Sequence, residues 1–417
     1  MDVSVIGLGY IGLPTAAVLA SNEINVIGVD INQDIIDDVN NGKSHIAEPG
    51  ISDLIKTAIK NNNLVATKEV RKSDVFIIAV PTPFTNEKKA DLSYIYSAVE
   101  SIAPFLEKGN MIIIESTIPV GTTEQILTLL SQVRKDLSFP KFKKENENTD
   151  IYLAHCPERV LPGKIVRELV NNDRIIGGIS QSCAREAERF YKIFINSKCL
   201  LTDSRTAELS KLVENSYRDV NIAFANELSL ICDKLEINVF DLIEIANHHP
   251  RVEILQPGPG VGGHCIAVDP WFIIDSAPNQ TQLMAVARKV NDEKPEYVLS
   301  KVKELVKNNH KDYQNLNIAC FGLAFKADID DLRESPALEI AISIESIGFK
   351  SLNIVEPNIS DLPFVFTRET TNLVTIQEAI ERSDLLLLLV DHSEFKDIKT
   401  SLLEHKMILD TKGIWRK

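Results

Sequence analysis

The chain has no hydrophobic run long enough to cross a bilayer. Its longest strongly apolar stretch, residues 385–390, falls far short of the ~20 residues that a spanning helix needs. It also lacks paired cysteines. The 6 cysteines (Cys156, Cys183, Cys199, Cys232, Cys265 and Cys320) are scattered, with no C-x-x-C and no zinc-site spacing. Six are too few for a disulfide scaffold in a chain of 417 residues. Positive charge is in deficit, with 45 Lys and Arg against 59 Asp and Glu and a net charge of −14. That balance speaks against a nucleic-acid surface, which needs a basic face. An anionic ligand would need a local Arg and Lys cluster working against the overall field. The opening MDVSVIGLGY has neither the basic nor the apolar region of a secretory leader. These absences predict a reducing, cytoplasmic setting and no membrane partner. No short repeat is visible either.

What is present is the balance of an ordinary globular protein, 44% hydrophobic and 25% charged. The length predicts two or three domains. Short, β-branched, continuous runs at 3–6, 26–29, 75–80 and 111–114 read as buried parallel strands, and 151–154 as a further strand. Amphipathic stretches such as 11–21 and 93–105 lie among them, which is a doubly wound α/β pattern. The polar stretch 139–150 reads as a surface excursion. A long helical pattern without Gly or Pro occupies 204–235, and a second helix follows at 239–246. A helix of that length links domains or builds a subunit interface. After a Pro/Gly-dense loop at 257–263 comes a second α/β pattern, with strands at 318–321, 351–355, 385–390 and 407–409. The expected fold is thus α/β, with two Rossmann-like doubly wound halves joined by a central helical part.

Five segments carry candidate chemistry. In VIGLGYIG, Gly7, Gly9 and Gly12 form G-x-G-x-x-G between a strand and a helix. Such glycines allow a tight turn and let a pyrophosphate approach N–H groups at a helix N-terminus. Asp30 closes the second strand near the offset of a ribose-binding acid. A carboxylate there repels a 2′-phosphate, so the cofactor predicted is NAD; the plainer reading of Asp30 is a helix cap. In PGPGVGGHCIAVDPW, Cys265 follows paired glycines that leave room for a bulky electrophile. Asp269 lies one helical turn beyond it if a helix begins there. A thiolate can add to an aldehyde, and the hemithioacetal is a good hydride donor. A lone cysteine is otherwise a small buried apolar residue, and spacing leaves both readings of Cys265 open.

In AELSKLVENSYRDVN, Lys211, Asn215 and Arg218 share one helix face. Lys211 and Asn215 suit a sugar hydroxyl and a developing oxyanion, while the bland reading is a solvated stripe. In HCPERVLPGK, Glu158 follows a strand end, where it could direct a hydrolytic water, and Arg159 could contact a phosphate or sugar. The plain alternative is a surface ion pair. In FGLAFKADIDDLRES, Lys326 and Arg333 are candidates for anionic groups. HHPR adds His249 and Arg251; adjacent histidines do not converge, so no metal is expected.

Taken in order, VIGLGYIGLPTAA, VPTPF, ESTIPVG, CPERVLPG, AELSKLVENSYRDVNIAFANE, HPRVEILQPGPGVGGHCIAVDPWF, FGLAFKADIDDLRESPA, VEPNI, LVDHSEF and KGIWR resemble the UDP-glucose/GDP-mannose dehydrogenases over essentially the whole chain. The HPRV segment and the His-Cys pair after Gly263 look like the branch acting on UDP-N-acetyl-D-mannosamine. The resemblance implies an NAD-binding domain at 1–202 and a central helical domain at 203–310 with the cysteine loop and a dimer interface. It implies a UDP-sugar-binding domain at 311–417. It further implies that Gly7, Gly9, Tyr10, Ile11, Gly12 and Asp30 hold NAD, that Thr82 and Thr117 contact it, and that Arg333 reaches it from the second half. Cys265 matches the family nucleophile and Lys211 the catalytic lysine, with Asn215 beside it and Asp269 assisting. Glu158 matches the acid that supports thioester hydrolysis. Arg159, Val160, Arg218, His249, Arg251, Gly262, Phe325 and Lys326 match substrate contacts, as do Lys211 and Asn215.

The activity so implied is a four-electron oxidation at C6 of a UDP-sugar to the uronate through a Cys265 hemithioacetal and thioester, in a homodimer. The product would feed surface polysaccharides. Rival substrates are UDP-N-acetylglucosamine and UDP-glucose. Rival functions are a two-electron β-hydroxyacid dehydrogenase, which needs no cysteine, and a nonenzymatic NAD sensor.

Overall fold

The computed structural model describes the whole chain except residues 47, 86, 145–148, 162, 264, 310 and 417. His264 of the His-Cys pair and the middle of the stretch 139–150 therefore lie outside the described residues. The chain forms two compact units, Met1–Glu214 with Trp271–Ala277, and Asn215–Pro270 with Pro278–Lys417.

In the first unit the strands are β1 (Asp2–Ile6), β2 (Asn25–Val29), β3 (Leu64–Thr67), β4 (Val75–Ile78), β5 (Met111–Ile114), β6 (Tyr152–His155), β7 (Arg174–Gly178) and β8 (Cys199–Asp203). They form one sheet in the order β3-β2-β1-β4-β5-β6-β7-β8. Among these strands, as far as the described residues go, only β6 and β7 pair antiparallel. The register sets Val3 beside Val26 on one side and Val75 on the other. Strands such as MIII and VFII are buried throughout because helices cover both sheet faces. The sequence order reverses between β1 and β4, which opens a crevice at their carboxyl ends. Every first-unit motif singled out above follows the carboxyl end of a strand, save those on the long helix.

In the second unit β9 (Asn317–Phe321), β10 (Ser351–Val355), β11 (Thr371–Leu373), β12 (Leu385–Leu388) and β13 (Met407–Asp410) form a parallel sheet in the order β11-β10-β9-β12-β13. The long helix is observed at Ser204–Lys234, followed by Val239–Asn247. Both sheets and the helical middle agree with the expected α/β architecture. The runs predicted at 75–80 and 385–390 each leave the sheet two residues early to form loops. The amphipathic stretch 93–105 is α-helix only over Ser93–Ile102. Pro104 turns the remainder, Ala103–Phe105, into a 3-10 turn. Four strands escape the sequence pattern. β3 and β8 alternate or expose their side chains, β7 starts with an arginine and ends in two glycines, and β11 has three residues.

Candidate active site

The glycine turn is built for close approach. Gly7 sits at φ +92° and its N–H reaches the Val29 carbonyl at 2.8 Å. A Cβ on Gly12 would lie 1.8 Å from the Gly7 carbonyl oxygen, so that glycine is required by the turn itself. A Cβ on Gly9 would meet nothing within 4 Å. Packing therefore does not require glycine at position 9, and the open space there suits an incoming pyrophosphate. The helix that follows, Gly12–Ser21, has no side-chain cap and no acidic residue in its first turn. Its N-terminal N–H groups are thus arranged for an anion. Asp30 ends β2 half-buried; one carboxylate oxygen accepts from Leu8 N–H at 2.8 Å and the other from Asn32 N–H at 2.9 Å. Each oxygen keeps a lone pair for a ribose hydroxyl. The Thr82 hydroxyl donates to the Thr117 carbonyl at 2.6 Å, so these two candidates are brought together beyond β4 and β5. Tyr10 is exposed and Ile11 half-buried beside the turn. These residues fit NAD.

Glu158 is not on the surface. It is buried; one oxygen accepts from Arg159 N–H and the other from the Arg174 guanidinium, each at 2.7 Å. Arg174, on β7, is itself buried and faces a second carboxylate, Glu115, at 3.4 Å. Glu115 also accepts from the Tyr191 hydroxyl at 2.7 Å and from Thr15 of the cofactor helix at 3.1 Å. Burial pushes the Glu115 carboxyl up, against the pull of Arg174. The cluster ties Glu158 to the cofactor helix through Arg174 and Glu115. Arg174 escaped sequence reasoning because a buried arginine at a strand start looks like a boundary residue. Arg159 pairs with Glu214 at 2.8 Å and donates to the Asp173 carbonyl, and Val160 packs on the core.

Of the six cysteines, all described, only Cys265 is exposed. Burial pushes the Cys156 and Cys320 thiols up, which makes them inert. The Cys265 carbonyl accepts from Asp269 N–H at 2.8 Å, forming a single turn that leads into the helix Asp269–Ser276. The predicted one-turn offset is therefore observed, with the helix proper starting at Asp269. The Asp269 carboxylate in turn accepts from Asn215 Nδ2 at 2.5 Å. Asn215 lies one turn after Lys211 on the long helix, and both are half-buried. The structure thus brings Asn215 to Asp269, one turn beyond Cys265.

The loop before Cys265 is fastened by a buried polar ladder that the motifs did not announce. Gly258 N–H donates to Asn226, whose amide donates to Asn291 at 2.9 Å. Asn291 donates to Asp219 at 2.8 Å, and Asp219 pairs with the buried Arg288 at 2.6 Å. Asp219 and Asn226 are seven apart on one face of the long helix, which was the available signal. Further along, a Cβ on Gly262 would lie 2.3 Å from the Glu334 carbonyl oxygen, and one on Gly263, at φ +84°, 2.8 Å from the Phe325 ring. Lys326 is exposed, and Arg333 is held by Asp331 at 2.8 Å. Arg218, His249 and Arg251 are exposed, with His249 Nδ1 accepting from Arg251 N–H at 3.3 Å.

Comparison with known proteins gives one consistent result. The NAD binding domain of the UDP-glucose/GDP-mannose dehydrogenase family matches residues 1–195, its central domain 205–293 and its UDP binding domain 319–417. The chain is 53% identical over 413 residues to an NDP-N-acetyl-D-galactosaminuronic acid dehydrogenase of Ralstonia nicotianae, covering 99% of this chain and 96% of that one. It is 52% identical over 418 residues to the UDP-N-acetyl-D-mannosamine dehydrogenase of Escherichia coli K12, covering 99% of both. Among solved structures, the UDP-D-ManNAc dehydrogenase of Pyrococcus horikoshii superposes with a TM-score of 0.88 at 38% identity, over 99% of this chain and 96% of that one.

Proposed function

The chain belongs to the UDP-glucose/GDP-mannose dehydrogenase family, and on that footing we propose that it is an NAD-dependent 6-dehydrogenase. Its substrate is UDP-N-acetyl-D-mannosamine and its product UDP-N-acetyl-D-mannosaminuronate. The observation that carries the reading is the exposed Cys265, whose turn is locked to Asp269 and through it to Asn215.

Gly7, Gly9, Gly12 and Asp30 hold NAD, with Tyr10, Ile11, Thr82, Thr117 and Arg333 as further contacts. NAD would supply the hydride acceptor, one molecule for the C6 alcohol and a second for the hemithioacetal. Asp269 and Lys211 order the water that takes the hydroxyl proton. The Cys265 sulfur bonds to the aldehyde carbon as the carbonyl electron pair moves to oxygen. Lys211 and Asn215 donate to that oxyanion, and the thiol proton leaves to water. After the second oxidation Glu158 directs water at the thioester; the C–S bond breaks, the thiol is restored and the carboxylate departs. Arg159, Val160, Arg218, His249, Arg251, Gly262, Phe325 and Lys326 bind the nucleotide sugar. We assign 1–202 to NAD, 203–310 to the cysteine loop and subunit contact, and 311–417 to UDP-sugar. The setting is cytoplasmic and the assembly a homodimer, in which Arg251 reaches the neighbouring subunit's site.

The test is NADH release against a panel of UDP-sugars, counted per sugar. Two equivalents with a uronate product are expected, and Cys265→Ser should stall after the first oxidation. One equivalent with free aldehyde would overturn the covalent route. A second reading keeps the chemistry and changes the epimer, because relatives at 53% and 52% identity carry names for two different N-acetylhexosamine products and substrates. The same panel separates them.

A further inference from the structure

The second half repeats the turn of the first and then departs from it. Gly322 follows β9 at φ +93° and donates to the Val355 carbonyl at 2.8 Å, as Gly7 does to Val29. Leu323 N–H donates to the Glu356 carboxylate at 2.7 Å, as Leu8 N–H does to Asp30. Asp30 is half-buried and open to a ribose, whereas Glu356 is only 3% exposed. The same Glu356 oxygen also accepts from Ala324 N–H at 3.0 Å and from His392 Nε2 at 3.1 Å. His392 is 1% exposed, and its Nδ1 accepts from Asp328 N–H at 2.9 Å, which fixes the proton on Nε2. Burial works against the Glu356 charge, but the His392 and Leu323 hydrogen bonds outweigh it and hold the carboxyl below the usual range. Asp328 is further held by Ser393, whose N–H and hydroxyl reach its two oxygens at 2.8 and 2.6 Å. The acid that would bind a ribose in a dinucleotide site is thus committed to protein partners.

Those partners bracket one segment. Glu356 grips 323 and 324, and His392 grips 328; between them stand Phe325 and Lys326. The Phe325 ring lies under Gly263, two residues before Cys265. We infer that Glu356 and His392 are positioning residues, a buried clamp that sets the Phe325 turn and through it the Cys265 loop. The inference rests on the proposed role of Cys265.

Full-length His392→Ala, His392→Gln and Glu356→Gln enzymes would be compared with wild type in two assays. One is steady-state NADH release with the active UDP-sugar. The other is the rate at which iodoacetamide alkylates Cys265, followed by peptide mass spectrometry. His392→Ala and Glu356→Gln should lower kcat about tenfold or more, since small misplacements of a reacting group carry such losses. They should change the alkylation rate several-fold, with the KM for NAD held within about twofold. Glutamine at 392 can both donate to Glu356 and accept from Asp328, so His392→Gln should recover most of the rate. If His392→Ala does not fold, the two glutamine variants carry the test. Wild-type kcat and alkylation in Glu356→Gln, and in His392→Ala where it folds, would overturn the clamp. So would losses that track only the folded fraction. Should Cys265→Ser retain two-NADH turnover, the covalent reading fails, while the alkylation rate still reports on the clamp.

Discussion

At the scale of single residues, two glycines of one motif have different physical reasons to be glycine. Gly12 has no room: a Cβ there would lie 1.8 Å from a carbonyl oxygen of the turn it closes. Gly9 has room, with nothing within 4 Å of where a Cβ would stand, so its reason to be glycine lies outside the protein. Gly9→Ala should therefore leave the thermal midpoint within a degree or two of wild type while raising the KM for NAD about tenfold or more, an amount matching ~1.4 kcal/mol. Gly12→Ala should destabilise the whole first unit, by the several kcal/mol that overpacking of backbone costs. Equal effects of the two substitutions on melting would contradict this division. The motif gave both glycines the same letter, and only the packing distinguishes them.

At the scale of elements, the long helix Ser204–Lys234 serves two faces. One buries Asp219 and Asn226 in the ladder that fastens the cysteine loop. Another presents Tyr217, Phe224 and Ile231, each seven residues apart and 72%, 52% and 47% exposed. Large apolar side chains at heptad spacing form a stripe of the kind that helices bury against a partner. Phe224→Asp should shift the proposed dimer toward monomer in sedimentation at micromolar concentration. An unchanged sedimentation coefficient would exclude this stripe as the subunit contact. The helix itself was legible in the sequence from its length and its freedom from Gly and Pro. Its two faces were not, because a run of mixed apolar and polar residues gives no sign of which apolar ones stay uncovered.

At the scale of the whole molecule, stability depends on groups that the chemistry never touches. His155 ends β6 fully buried, and burial lowers its pKa to about 3 from an ordinary 6.5. Between those values the unfolded chain binds a proton that the folded chain refuses. Its contribution is therefore complete above about pH 6.5 and is lost on acidification, at about 1.4 kcal/mol per pH unit, down toward pH 3. Denaturant titrations at pH 7.5 and 5.5 should show this loss in wild type and a smaller one in His155→Leu. Parallel losses in the two proteins would show that His155 does not carry the slope.

The sequence by itself determined the two α/β halves, the long helix, the NAD turn and the one-turn offset from Cys265 to Asp269. These depend on local periodicity, on glycine geometry or on one-turn helical offsets, all written in adjacent letters. Tertiary structure alone decided that Asn215 meets Asp269, that Glu158 is paired to Arg174 within a buried cluster, that Asp219, Asn226, Asn291 and Arg288 fasten the cysteine loop, and that Glu356 is closed off by His392. Each of those joins side chains distant along the chain. A charged or polar residue looks alike in sequence whether water or a buried partner will satisfy it, and only the fold determines which of the two it meets.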